Sequence, residues 1–101
     1  MTFADFHRSL EQDAPPSGLS PALVALWHDG RGDWERAHAV AQDIEDRTGS
    51  WVHAYLHRKE GDIGNAHYWY HRAGTTPASG PLDTEWQAIA RVLLEGVDST
   101  S

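Results

Sequence analysis

Histidine is the residue type in this chain best suited to chemistry, since seven occur among 101 residues and there is no cysteine. His53 and His57 lie four residues apart, and His67 and His71 repeat that spacing. Side chains four residues apart share one face of a helix, so either pair could offer two imidazole nitrogens to one metal ion. The lack of cysteine excludes disulfides, thiolate zinc sites and a cysteine nucleophile.

A repeated heptapeptide connects these pairs to a further histidine. Residues 32–38 return 29 positions later as residues 61–67, with Gly, Asp, Ala and His in the same places. His38, which ends the first copy, could therefore supply a third ligand from a neighbouring helix. A site built from His38, His53 and His57 would hold a divalent transition metal such as zinc.

Two other interpretations of the histidines stay open. The segment from His53 to His57 lacks the glutamate that follows the first histidine in zinc peptidases. The sequence favours neutral imidazoles held by backbone or carboxylate partners, and a polar pocket for a small molecule is the remaining interpretation. If a metal is bound, Glu60 or Asp62 could add a carboxylate ligand.

Helix signals around these residues predict an all-α protein. Every strong hydrophobic periodicity is that of a helix, and no segment alternates as a strand does. Residues able to cap helix N-termini precede the apolar stripes, and they are Thr2, Ser20, Asp33 and Asp62. We predict a single domain over residues 1–101, with an N-terminal helix in 1–13, helical units in 20–46 and 49–74, and a C-terminal helix in 82–97.

Local patterns also predict helix boundaries within this scheme. A stripe of apolar residues at helical spacing predicts that the third helix extends to Ile44. The segment after Thr48 starts the fourth helix, which runs from Trp51 to about Glu60. Residues 84–87 have the form of a capping box and would open the last helix.

The repeated unit of helix, Gly-Asp turn and helix resembles the tetratricopeptide repeat and its Sel-type relatives. The best match runs from Gly61 to Ala73, with Asp62, Ala66 and Tyr70 at the corresponding places. The chain also resembles a set of short bacterial proteins that carry the motif of residues 32–38, a likeness that implies no activity. The tetratricopeptide resemblance implies a short array of about two helical hairpins, with capping helices at the N- and C-terminal ends.

The same resemblance implies a surface for binding. The residues that would face the inner groove, where such repeats hold peptides, are Trp51, Tyr55 and Arg58. A second candidate surface follows from residue types common in protein interfaces, and it consists of Asn65, Tyr68 and Trp69. The implied partner is a protein or a peptide, which includes a second copy of this chain as a homodimer.

The charge balance excludes other classes of partner. The formal net charge is −7 and there is no run of basic residues, so neither nucleic acid nor an anionic membrane is expected as a partner. The N-terminus lacks the features of a signal peptide, and no apolar stretch has the length of a membrane span. We therefore expect a cytoplasmic protein.

Two functional hypotheses follow from these observations. The first is a small helical-repeat module that binds a protein or peptide and needs no cofactor. The alternative is a metal-binding protein, or a metal- or histidine-dependent enzyme, whose site is formed by His38, His53 and His57. Catalysis is the less favoured of these, because the chain has no phosphate-binding glycine loop, no nucleophile elbow and no acidic calcium loop.

Overall fold

A computed structural model describes residues 1–99, and over this range the chain is all-helical, as predicted. The helices in chain order are α1 Phe3–Arg8, α2 Pro21–Gly30, α3 Trp34–Ala41, α4 Arg47–Lys59, α5 Ile63–Ala73 and α6 Leu82–Ser99. A 3₁₀ turn, Ser9–Glu11, follows α1 directly. Within the described range, no helix combines the length and the apolar character that a membrane span needs.

The helices begin where side-chain oxygens accept hydrogen bonds from backbone N–H groups of the first turn. All four predicted caps are confirmed, since each of these side chains accepts the N–H three residues further on: Thr2, Ser20, Asp33 and Asp62. Replacing such a cap by alanine typically costs about 1 kcal/mol. The caps therefore help to fix where these helices start.

The two copies of the heptapeptide form the same turn. Gly32 and Gly61 have φ angles of +85° and +90°, a conformation that glycine adopts without strain. The N–H of the aspartate that follows each glycine donates to the carbonyl oxygen of the histidine five residues earlier, at 2.9 Å in both copies. The turns join α2 to α3 and α4 to α5, and each pair packs side by side. Membership of these pairs in the tetratricopeptide family stays a prediction.

The connection between α3 and α4 differs from the prediction. α4 begins at Arg47 rather than Trp51, because the carboxylate of Asp46 accepts the N–H of Gly49 at 3.0 Å and so caps the helix. α3 ends three residues before Ile44, which lies so close to Gly49 that any side chain on this glycine would overlap it. The chain turns where these two residues meet.

The start of α6 is a second difference. The helix begins at Leu82, so residues 84–87 lie inside it and do not form its capping box. Glu85 is 5% exposed and accepts hydrogen bonds from side chains of other helices, namely Trp51, Arg58 and Tyr70. A capping glutamate forms its hydrogen bonds within its own helix, whereas Glu85 is buried and accepts hydrogen bonds from residues of α4 and α5.

Most of the core lies between α2, α4 and α6, with α1 against it. Trp86 of α6 stacks on Phe6 of α1 with the ring centroids 5.7 Å apart, and its indole N–H donates to the carbonyl oxygen of Leu26 at 3.0 Å. The two terminal helices thus contact each other, and their role as caps of a repeat array stays a prediction. A smaller cluster of Ala54, Ala66 and Tyr70 fills the space between α4 and α5.

A buried carboxylate joins α2 to α4. The side chain of Asp29 is 2% exposed, and it accepts hydrogen bonds from the hydroxyl of Tyr55 at 2.8 Å and the ammonium of Lys59 at 2.9 Å. Burial and the negative charge of Asp29 raise the pKa of Tyr55, so its hydroxyl stays protonated and keeps donating. Lys59 is the sole lysine of the chain.

We expect Ala37→Leu to destabilise the fold by about 1–3 kcal/mol, because Ala37 is fully buried in the main core and a larger side chain would force α3 away from its neighbours. The exposed Ala39, two residues along the same helix, gives the matched control, and Ala39→Leu should change stability by less than about 0.5 kcal/mol. Urea unfolding of both variants measures the difference. Equal effects would show that α3 does not present Ala37 to the core.

Candidate functional site

Three histidines from two helices meet beside the α3–α4 contact. α3 supplies His38, and α4 supplies His53 and His57. One ring nitrogen from each lies within 4.8 Å of the others. The Nε2 atoms of His38 and His53 are 2.9 Å apart, a hydrogen-bond distance, and the rings of His53 and His57 stack with centroids 4.8 Å apart. These three residues, called the histidine cluster below, are the ones that the sequence grouped as metal ligands.

Two tryptophans enclose the histidine cluster. Trp34 stacks on His38 with centroids 4.9 Å apart, and Trp69 stacks on His53 with centroids 4.0 Å apart. The indole N–H of Trp34 donates to the carbonyl oxygen of Leu56 at 2.8 Å, which ties α3 to α4 next to the imidazoles. His53 itself is only 6% exposed. The imidazole of His53 therefore lies in surroundings of low polarity, where unpaired charge is costly.

A carboxylate orients the third histidine. The Nδ1 atom of His57 lies 2.7 Å from a carboxylate oxygen of Glu60, three residues further on at the end of α4. With Nδ1 at this carboxylate, Nε2 is the nitrogen of His57 that would bind a metal ion. A carboxylate on the far nitrogen is the usual support of histidines that bind metals, because it fixes the tautomer and makes the imidazole a better ligand.

The surroundings keep two of the imidazoles neutral. Burial, followed by repulsion from His38 and His57, lowers the pKa of His53 to about 4. The pKa of His38 is also lowered, mainly by burial and then by His57, although the charge of Glu60 acts in the opposite direction. Near pH 7 both rings therefore have lone pairs available for a metal ion or a hydrogen bond.

The distances in the histidine cluster suit a tetrahedral metal ion. Zinc–nitrogen bonds of about 2.0–2.1 Å place two ligand nitrogens roughly 3.3 Å apart. The Nε2 atoms of His38 and His53 are slightly closer than this, and the three nitrogens span at most 4.8 Å, so side-chain shifts on the order of 1 Å would complete the geometry. In the structure, one of these two imidazoles donates the hydrogen bond from its Nε2. When both Nε2 atoms bind the ion, that imidazole would carry its proton on Nδ1 instead.

A second group of potential ligands shares His57. His57, Glu60 and Asp62 also lie within 4.8 Å of one another, but both carboxylates are at the protein surface. Asp62 is occupied as the cap of α5, since it accepts the backbone N–H and the side-chain amide of Asn65. Glu60 is occupied by His57. In this structure the carboxylates that the sequence offered as ligands serve instead to support the turn and the histidine cluster.

The residues predicted to line a peptide groove point into the protein. Tyr55 is 3% exposed, and its hydroxyl is bound to Asp29. Trp51 and Arg58 both donate to the buried carboxylate of Glu85, at 3.3 and 3.0 Å. This set holds helices together, and Tyr55 presents almost no surface to a peptide.

The second predicted surface lies on α5 and is more open. Asn65 and Tyr68 are exposed, the latter by 53%, and Trp69 is half-buried where it stacks on His53. Arg72 lies over the rings of Tyr68 and Trp69, at 5.9 and 5.3 Å from the centroids. Binding of a protein, a peptide or a second copy of the chain at this surface stays a prediction.

Sequence reasoning missed two residues that shape these sites. Trp34 stands four residues before His38, the spacing of stacked side chains on one helix face, and this could have placed it beside the histidine cluster. Glu85 gave no such signal, because its partners are 15 to 34 residues away in sequence. Partners at that separation are brought together only by the tertiary fold.

We expect the metal-free protein to lose stability as the pH falls from about 6.5 toward 4. In this range an unfolded chain protonates its histidines at their ordinary pKa of 6.5, whereas folded His53 stays neutral until about pH 4. Because the unfolded state binds more protons, the stabilising contribution is complete above pH 6.5 and is lost below it, by roughly 3 kcal/mol at most for His53. Unfolding by urea at a series of pH values measures the slope.

Two variants separate this effect from the titration of carboxylates. His53→Gln should flatten the slope, because it removes the buried group that resists protonation. His71→Gln changes an exposed histidine on α5 and should leave the slope as in the wild type. A slope that both variants leave unchanged would show that the burial of His53 does not couple to proton binding.

Comparisons with known proteins found no match to this chain among family models, curated proteins or solved structures.

Proposed function

We propose that this protein binds a divalent transition metal ion of the zinc type through His38, His53 and His57. The observation that carries the proposal is the approach of three imidazole nitrogens, from two helices, to within 4.8 Å of one another. Imidazole is a good ligand for zinc, copper and nickel, whereas calcium and magnesium require oxygen ligands. Three histidines and one open position form a ligand set known from zinc proteins.

The protonation state of the site favours binding. A metal ion must displace any proton that occupies its ligand nitrogen, so affinity for metal falls where histidines are protonated. The lowered pKa values of His38 and His53 remove this competition near neutral pH. A bound ion would also replace the hydrogen bond between the Nε2 atoms of His38 and His53.

The outer contacts of the site support the same proposal. Glu60 holds the Nδ1 of His57, while Trp34 and Trp69 stack on the other two imidazoles and limit their rotation. Ligands that are already oriented lose less conformational entropy when they bind. The orientation of these side chains before binding therefore supports the proposal.

Zinc titration of protein purified without an affinity tag, in competition with a chromophoric chelator at about pH 7.5, tests the proposal. We expect one ion per chain, and His53→Ala should weaken binding by more than the roughly 10- to 100-fold that loss of an outer contact costs. Glu60→Gln keeps all three ligands and should weaken binding within that 10- to 100-fold range. At a free zinc concentration of about 100 times Kd, the wild type should gain about 2.7 kcal/mol of stability.

The matched control is His71→Ala, which removes an exposed histidine far along α5 and should leave zinc affinity unchanged. Circular dichroism shows whether each variant keeps its helices. A wild-type protein that takes up no stoichiometric zinc, copper, nickel or cobalt would rule the proposal out. So would a folded His53→Ala variant that binds zinc as tightly as the wild type.

A further inference from the structure

A cavity of about 260 Å³ lies beside α1, where the ends of α2 and α4 meet the start of α6. Its apolar lining includes Leu10, Leu82 and Trp86. The volume is somewhat smaller than the roughly 300–1,000 Å³ of pockets for drug-sized ligands. It equals the liquid volume of roughly nine water molecules, so it suits a ligand of about that many non-hydrogen atoms.

A cationic donor in the lining is only partly used by the fold. Lys59 donates to one oxygen of Asp29 at 2.9 Å, and the hydroxyl of Tyr55 donates to the other oxygen at 2.8 Å. Both oxygens of this carboxylate are therefore occupied, and its charge is balanced by that of Lys59. An ammonium carries three N–H donors, of which Asp29 takes one. Because the side chain of Lys59 is 37% exposed, a ligand can reach its ammonium.

An anionic acceptor in the lining has no cationic partner. Asp83 accepts the side-chain amide of Gln87 at 2.8 Å, but within the described part of the chain it forms no ion pair. Its charge acts on the cavity, since it adds to the effect of burial and of Asp29 in raising the pKa of Tyr55. The imidazole of His7, which also lines the cavity, can donate or accept a hydrogen bond and so favours neither charge.

We propose that this cavity binds a small α-amino acid with an aliphatic side chain. The carboxylate of the ligand accepts a hydrogen bond from the ammonium of Lys59, and its ammonium donates to the carboxylate of Asp83. Hydrogen bonds between such charged groups are about twice as strong as those between neutral groups. The aliphatic side chain lies against Leu10, Leu82 and Trp86, where its removal from water adds to the affinity.

The charges of the lining favour a zwitterion over a ligand with a single charge. A carboxylic acid without the amine would bring a second negative charge into the cavity that holds Asp83, with no ammonium to offset it. An amine without the carboxylate would in the same way meet Lys59. A zwitterion matches both groups, and it adds no net charge to a chain whose formal net charge is −7.

NMR titration of the metal-free, isotope-labelled protein with L-leucine tests this inference, and the use of metal-free protein makes the result independent of the histidine cluster. We expect saturable shifts of the backbone amides of Gly30 and Asp83 and of the indole N–H of Trp86. Two ligands of similar shape serve as controls, since isocaproate lacks the ammonium and isoamylamine lacks the carboxylate. Each should bind at least roughly tenfold more weakly than leucine, as expected when a charge-assisted hydrogen bond is lost.

A matched pair of variants locates the binding. Asp83→Asn removes the anionic acceptor at an exposed position and should weaken leucine binding roughly tenfold or more. The same variant should not bind isocaproate more weakly than the wild type does, because it removes a repulsive charge. Asp43→Asn makes the same change of net charge at an exposed residue after α3 and should bind leucine as the wild type does.

Several results would overturn the inference. These are the absence of saturable shifts, equal binding of leucine and either control ligand, and leucine binding that Asp83→Asn leaves unchanged. Equal weakening by Asp43→Asn would also overturn it, since net charge rather than the cavity would then determine the affinity.

Discussion

The burial of α4 on several sides is the constraint on which the rest of this structure depends. α4 packs against α2, α3, α5 and α6, yet along its length it carries histidine, arginine, lysine and tyrosine side chains. Polar groups at helix contacts need partners, and three of the neighbouring helices supply them. The pairs are Asp29 of α2 with Tyr55 and Lys59, Glu85 of α6 with Arg58, and His38 of α3 with His53. The proposed metal site is an extension of one of these pairs, since it begins at His38 and His53.

Features that depend on a few consecutive residues could be predicted from the sequence. The caps at Asp33 and Asp62 and the turns around Gly32 and Gly61 follow from side-chain chemistry within one helical turn. The grouping of His38 with the histidines of α4 used only the period of the heptapeptide and the spacing of residues on a helix face. Such inferences succeed because the geometry of a helix is nearly the same in every protein.

The rest of the architecture depends on contacts that no local pattern contains. Glu85 has the sequence context of a capping residue, and only the packing of α6 on α4 makes it the acceptor for Arg58 and Tyr70. The start of α4 was predicted at Trp51 instead of Arg47 for the same kind of reason, because a carboxylate between two helices, here Asp46, can end one or begin the next. Tyr55 shows the corresponding limit for binding surfaces: a helical register places a side chain on a face, but the neighbouring helices decide whether that face is open.

The pairing of Lys59 with Asp29 has a practical consequence for probing the contact between α2 and α4. Because the chain has a single lysine, a reagent that modifies side-chain amines has one target besides the N-terminus. The side chain of Lys59 is 37% exposed, so such a reagent can reach it, whereas the carboxylate that accepts its hydrogen bond is 2% exposed. Acylation of Lys59 would therefore remove the positive charge that faces Asp29, and it would do so without any mutation.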